Sequence, residues 1–338
     1  MKLLSKYLLI TLIRPFIITL ILTNCLFLIG YAFSSLEFFL TYKPGLIVIL
    51  KYICLNIPQN LLFTFPISGI ISILSLGTRI ITKGELRLLL SSGVSKMAVV
   101  LPVICLFFLL SLILLCFSEF LIPQSNRSHT ILKKGIKGIV SEEKPISLKL
   151  SNAFVHIGFL EKNRIRNLKI QREDLIISAK LCEYRNKKWH LTEGIERKIE
   201  KGEVKKETNI PILNFCLPKP EEIRIFVESS EELMKPSMLF KAIGIAKRYG
   251  ISDKNYLKEL HFKIAFSFSS LVLAMIGLGM LTSGLKFGLY GNIGIALLIS
   301  FIYWEGMLFF SQMDTSPFLC SWAGNIIGIS IAFKLLSK

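Results

Sequence analysis

Ionisable and nucleophilic side chains are sparse where this sequence is most apolar, and their spacing excludes more chemistry than it permits. The 338 residues contain no G-x-x-x-x-G-K-[ST] loop, so the chain does not bind ATP through a P-loop. Neither GxSxG nor HExxH occurs. His129, His156, His190 and His261 are scattered and read as surface or interfacial histidines. No CxxC or His-rich spacing marks a metal site, and no cofactor is expected. Within the apolar runs the ionisable groups are Lys51, Glu119, Lys263, Glu305 and Lys334, mostly near the ends of those runs. Glu305 is the sharpest of them. A carboxylate inside a membrane span is costly, so it either faces a bundle interior or cavity or lies close enough to the outer surface to reach water.

A second group sits in the segment KGELRLLLSSGVS. Glu85, Leu88, Leu89 and Ser92 fall on one side at helical spacing, and Gly93 can end the helix in a left-handed conformation. A short helix of this kind can dock in the groove of a partner ATPase. It can equally be an ordinary loop with a basic flank, and spacing alone leaves both readings open.

The elements around these residues follow from composition. The chain is 52% hydrophobic and only 19% charged, with the charges crowded into its middle. That asymmetry excludes a single soluble domain and implies membrane segments on either side of a water-exposed insert. Lys2, Lys6 and Arg14 precede an uncharged run over 15–33, long enough to span and too long for a signal-peptide core. A second apolar stretch covers 45–77 and contains Pro58 and Pro66; a third covers 99–117, ending near Glu119 and Pro123. Three more spans are expected over 264–281, 293–310 and 318–336.

Between them, residues 123–255 carry 27 Lys/Arg against 17 Asp/Glu and no run of membrane length. Short β-rich stretches recur at 146–150, 154–157, 165–171, 175–182, 188–191 and 195–199, broken by Asn, Gly and charged turns. Their spacing predicts an antiparallel all-β unit, a sandwich or jelly roll. A short amphipathic helix over 237–249, stopped by Gly250, leads back to the membrane. The fold class is therefore membrane α-helical, with six transmembrane helices and an inserted all-β, jellyroll-like domain. The expected division is 1–122, with the short helix near 83–93, then 123–255, then 256–338.

The formal net charge of +18 carries no zinc-finger, RNP or basic-helix pattern, so nucleic acid is not the expected partner. Placing the N-terminus in the cytoplasm puts Lys2, Lys6, Arg14, Arg79, Lys83, Arg87, Lys96, Lys286, Lys334 and Lys338 inside. The short outer loops then hold Lys43, Lys51, Glu37 and Asp314, in agreement with the positive-inside rule, and the insert faces outward. Of the cysteines, Cys182 and Cys216 alone lie in the insert. They are free thiols or, in an oxidising compartment, a bridge.

The stretch NIPQNLLFTFPISGIISILSLGTRIITKGELRLLLSSGVSKM resembles the LptF/LptG permease family of the lipopolysaccharide exporter. The family pattern is met by Pro58, Pro66, Glu85 and the Ser92-Gly93-Val94-Ser95 turn. SEFLIPQSN after the third span and KELHFKIAFSFSSLVLAMIGLGM at the fourth are also similar, as is the order of three helices, β domain and three helices. The resemblance implies a heterodimer with a second LptF/LptG-type permease, seated on a dimeric cytoplasmic ABC ATPase. It also implies a short coupling helix containing Glu85, lateral gates formed by the first and fifth helices, and transfer of lipopolysaccharide toward a periplasmic bridge protein.

Some members carry Lys or Arg at the outer end of the first helix. This chain has Tyr31, Ser34-Ser35 and Glu37 there, leaving Lys43 and Lys51 as the nearest cations for lipid phosphates. The fourth-helix opening leans toward the F-type subunit and the coupling region toward the G-type. A non-transporting membrane scaffold is the competing reading. It needs no ATPase contact at Glu85.

Overall fold

A computed structural model describes residues 2–337 apart from 86–87, 89–90, 139–144, 151–152, 162, 173, 187, 201–202, 214, 216, 228–233, 284–287 and 314. The predicted Leu89 and Cys216 lie outside the described residues. Contacts divide the chain into two compact units, Met1–Gly138 with Leu260–Lys338, and Ile139–Glu259.

The first unit begins with α1 (Lys2–Ser34), whose inner stripe of Leu8, Leu12 and Phe16 is buried while Ile17, Ile18, Ile21, Leu22, Leu26 and Ile29 are exposed. The second apolar stretch is divided. α2 (Leu36–Tyr42) and α3 (Leu46–Cys54) are short, and α4 (Ile57–Thr82) is the deeply buried span. Pro58 stands in the first turn of α4, where a missing N–H is harmless. α5 (Lys96–Lys137) starts on Ser95, whose hydroxyl accepts from the Ala98 amide, and ends on Gly138 at φ +66°. Its 42 residues reach about 63 Å at 1.5 Å per residue, roughly twice a bilayer core. The helix thus runs through Pro123, where the sequence reading ends it, and carries Arg127, His129, Lys133, Lys134 and Lys137 beyond the apolar part.

Five helices are long and apolar enough to cross a membrane, and a bent pair supplies the sixth. Numbered in chain order after the helices of the insert, that pair is α8 (Lys254–Ser267) and α9 (Ser269–Thr282), bent by 40° at Phe268. α10 (Leu289–Gln312) and α11 (Pro317–Leu336) close the bundle. α4 lies at its centre and packs on α1, α5, α9 and α10, while α9 also packs on α5 and α11. Two apolar clusters meet on α4. One joins Leu8, Leu12, Ile73, Ile80, Val100 and Phe107; the other joins Ile67, Ile70, Leu273, Ile276, Tyr303 and Met307. Gly69 and Gly277 are spacers here: a Cβ on Gly69 would lie 2.6 Å from the Phe107 ring, and one on Gly277 would lie 3.2 Å from Ile70.

The second unit is an antiparallel sheet of β1 (Ile146–Leu150), β2 (Ala153–Glu161), β3 (Arg164–Gln171), β4 (Leu175–Arg185), β5 (Lys188–Thr192), β6 (Ile195–Glu200) and β7 (Glu203–Asn209). Its order is β1-β2-β3-β4-β6-β7, with β5 also on β4. Alternation selects one buried face, including Leu148, Val155, Ile157, Ile165, Ile170, Ile177, Cys182, Trp189 and Leu191. Burial pushes the Cys182 thiol up to about 12, so it packs as an inert hydrophobe. The chain then forms α6 (Pro220–Val227) and α7 (Pro236–Tyr249), held by Arg248 and Tyr249 donating to Glu222 at 3.0 and 2.8 Å.

One edge of β4 serves two strands: 175–178 pair with β6 and 181–185 with β5. The chain must therefore swing sharply between Thr192 and Ile195. Glu193 adopts φ +54°, and Gly194 receives the Ile210 amide on its carbonyl at 2.9 Å. A Cβ on Gly194 would lie 2.5 Å from the Ile210 carbonyl oxygen and 2.7 Å from Leu191 Cβ. We expect Gly194→Ala to destabilise the β domain by about 1–3 kcal/mol, read as lowered protection of β5 to β7 amides in hydrogen exchange. Unchanged protection would contradict this packing.

Candidate functional site

At one end of the bundle, α4 gives way to a turn at Gly84, φ +71°. Glu85, Leu88 and Ser91 have helical backbone, with the Leu88 amide bonded to the Gly84 carbonyl at 3.1 Å and the Ser92 amide to the Leu88 carbonyl at 3.0 Å. Gly93 follows at φ +84°, the left-handed conformation expected of a helix stop. Leu88 is 69% exposed, an apolar knob beside a carboxylate. Glu85 is not isolated: the Tyr7 hydroxyl donates to its Oε2 at 2.9 Å. The predicted residues Glu85, Leu88 and Gly93 thus share one compact turn, and α1 touches it.

At the other end, α1 finishes against α3 and the extended part of α5. Tyr31 Oη and His129 Nε2 share a hydrogen bond of 2.6 Å. Tyr52 stacks on Tyr31 and lies 4.2 Å from the His129 ring, centroid to centroid. Phe38 stacks on Tyr52, and the Lys133 ammonium sits 5.9 Å from the Phe38 centroid. Asn126 donates to Gln59 at 3.3 Å, and the Ser125 hydroxyl donates to the Leu55 carbonyl. Of the predicted lipid-path residues, Tyr31 is built into this cluster. Lys43, at φ +45°, and Lys51 are exposed on the chain that flanks it. His129, Tyr52 and Lys133 belong to the cluster and were not expected from the sequence. The signal for them was the helical spacing of Ile122, Ser125 and His129 across Pro123.

Between these ends α10 presents two different faces. Its inner face is paired: Asn292 donates to Thr78 Oγ1 at 2.5 Å and to the Leu74 carbonyl at 3.3 Å. The Tyr303 hydroxyl donates to Asn325, whose amide donates to the Ala265 carbonyl at 2.8 Å. Trp304 closes an aromatic trio with Phe27 of α1 and Phe63 of α4. The outer face is a stripe of exposed Leu298, Phe301, Ile302, Leu308 and Phe309, and Glu305 lies in its middle. Glu305 has no ion-pair or hydrogen-bond partner among the described residues. It stands seven residues before the end of α10, about 10 Å along the axis. A carboxylate in a span is costly unless it meets water or a polar neighbour.

The described residues hold no group of three His, Cys, Asp or Glu able to bind a metal. What remains is a membrane bundle with an exposed turn at Glu85 and Leu88, an apolar face carrying Glu305, and an inserted β domain. The model of the lipopolysaccharide export system permease LptF/LptG matches residues 6–338. The chain belongs to the LptF/LptG family. No curated protein matches the sequence. As a family member it is a transport permease of lipopolysaccharide export, not an enzyme in its own right, and a multi-pass inner-membrane protein.

On the outer face of α10 of this LptF/LptG permease, Glu305 is an exposed carboxylate among apolar side chains. Glu305→Gln keeps the size and removes the charge. We expect it to fold normally and to lower lipopolysaccharide export several-fold in a reconstituted assay; unimpaired export would remove Glu305 from the transport path.

Proposed function

We propose that this chain is one of two permease subunits of an ATP-driven exporter that extracts lipopolysaccharide from the inner membrane. It pairs with a second LptF/LptG-type permease and rests on a dimeric cytoplasmic ABC ATPase, which engages the turn of Glu85 and Leu88. The insert faces the periplasm and delivers the lipid toward a bridge protein, with both termini cytoplasmic. Charge supports this sidedness: Lys6, Arg14, Lys83 and Lys96 gather at the docking end, and short loops at the opposite end hold few cations.

The observation that carries the reading is the exposed α10 stripe of Phe301, Ile302, Glu305 and Phe309. Each buried CH₂ of a lipid is worth about 0.8 kcal/mol, so an acyl chain of about twelve carbons represents roughly 10 kcal/mol. Several such chains leave a bilayer only along a wall that stays apolar. The outer faces of α10 and α1 supply that wall. The polar cluster of Tyr31 and His129, with Lys43, Lys51 and Lys133 close in sequence or space, lies at the end where phosphates would sit, and cations pair with phosphates through charge-assisted hydrogen bonds. ATP-driven closure of the two subunits would narrow the space between such walls and displace the lipid outward.

Affinity capture of the chain in mild detergent, with mass spectrometry of bound proteins and lipids, tests this reading. A small P-loop ATPase, a second six-span permease and lipid A-bearing lipid are the expected companions. Glu85→Lys, which places a cation in the docking turn, should abolish capture of the ATPase. Recovery of the chain alone or with assembly factors, together with a Glu85→Lys variant that works normally, would instead make it a scaffold.

A further inference from the structure

Helix α1 is a single strut of 33 residues, about 50 Å long, and a tyrosine ties each of its ends to a distant part of the chain. At the far end the partner is His129. At the near end Tyr7 donates to Glu85, 78 residues away. No helical or strand spacing brings these two together; the fold does. Tyr7 is 42% exposed, so its ring contributes little to the core, whereas Leu8 beside it is buried with Ile80, Val99 and Val100, which flank the turn on α4 and α5. The near end of α1 is thereby clamped to both sides of the turn by packing and to the turn itself by one hydrogen bond.

Further along, α1 turns outward the exposed run of Ile17, Ile18, Ile21, Leu22, Leu26 and Ile29, while its inner face packs on α4 through Phe16 against Phe65 and Phe27 against Phe63 and bonds it through Thr23 with Ser68 at 3.0 Å. A carboxylate accepts at both oxygens, so a tyrosine on Oε2 leaves acceptor capacity for a cationic group of a docked partner. Hydrogen bonds to an ionised acceptor are among the stronger ones. Glu85 can thus hold α1 and a partner at once.

We propose that Tyr7 is a positioning residue that couples the docking turn to α1, so that displacement of the turn by the ATPase moves the lipid-facing helix with it. The proposal rests on the docking role assigned above to the Glu85 turn. Docking belongs to Glu85 and Leu88, and transmission belongs to Tyr7. Phenylalanine at position 7 keeps the ring and the Leu8 packing and removes only the hydroxyl, so a folding defect is not expected.

The test uses the full permease–ATPase complex in lipid nanodiscs loaded with lipopolysaccharide, with wild type, Tyr7→Phe and Glu85→Lys compared side by side. Three quantities are read: ATPase retained on the permease, ATP hydrolysed, and lipid released. Tyr7→Phe should retain the ATPase as wild type does while lipid released per ATP falls roughly two- to tenfold, the worth of one such hydrogen bond. An unchanged ratio of lipid to ATP in Tyr7→Phe overturns the proposal. Loss of the ATPase from Tyr7→Phe also overturns it, because Tyr7 would then serve docking. Failure of the underlying reading looks different: Glu85→Lys would keep the ATPase and release lipid normally.

Discussion

Hydrocarbon offers no hydrogen bonds, so a polar group placed within it is costly unless it finds a partner inside the protein or faces water. That constraint shapes the helical unit. Asn292, Tyr303, Asn325, Ser111 and Ser270 all turn inward and pair across helices, Ser111 with Ser270 at 2.9 Å. Each such bond contributes about 0.6 kcal/mol on average, so their larger effect is to fix which face of each helix looks inward. The outward faces of α1 and α10 are left almost wholly apolar. Against that background Glu305 stands out as an exposed carboxylate on α10.

The same constraint separates the two ends of the bundle from its middle. The left-handed turns at Gly84 and Gly93 lie where the chain leaves the apolar layer, and so does the long polar continuation of α5. A permease needs both regimes: a wall that hydrocarbon wets, and ends that engage water-soluble partners. Helix α1 joins them in one rigid element, with Tyr7 at the turn and Tyr31 at the aromatic cluster.

Much of this was legible in the sequence. The apolar runs located the spans, and β-branched residues at short spacing located β1 to β6. β7, with the sequence EVKKETN, was not legible, because it carries alternating charge and a single β-branched aliphatic, and it is held as a strand by its register with β6. The continuation of α5 was hidden by Pro123, which reads as a stop in isolation but is tolerated here with Ser125 and Asn126 making outside bonds. At the candidate site, helical spacing gave the turn of Glu85, Leu88 and Gly93. It could not give Tyr7 or His129, because both contacts join residues 78 or more apart, and periodicity carries no information at that range.

The central claim is that the outer face of α10 is a path for lipopolysaccharide, and a photoreactive residue tests it most directly. Placed at Ile302 on the stripe, it should cross-link lipid A-bearing lipid in membranes and lose that adduct when ATP is supplied. The same residue at Ile326, exposed on α11, serves as the comparison. Equal capture of ordinary phospholipid at both positions, with no response to ATP, would contradict the account.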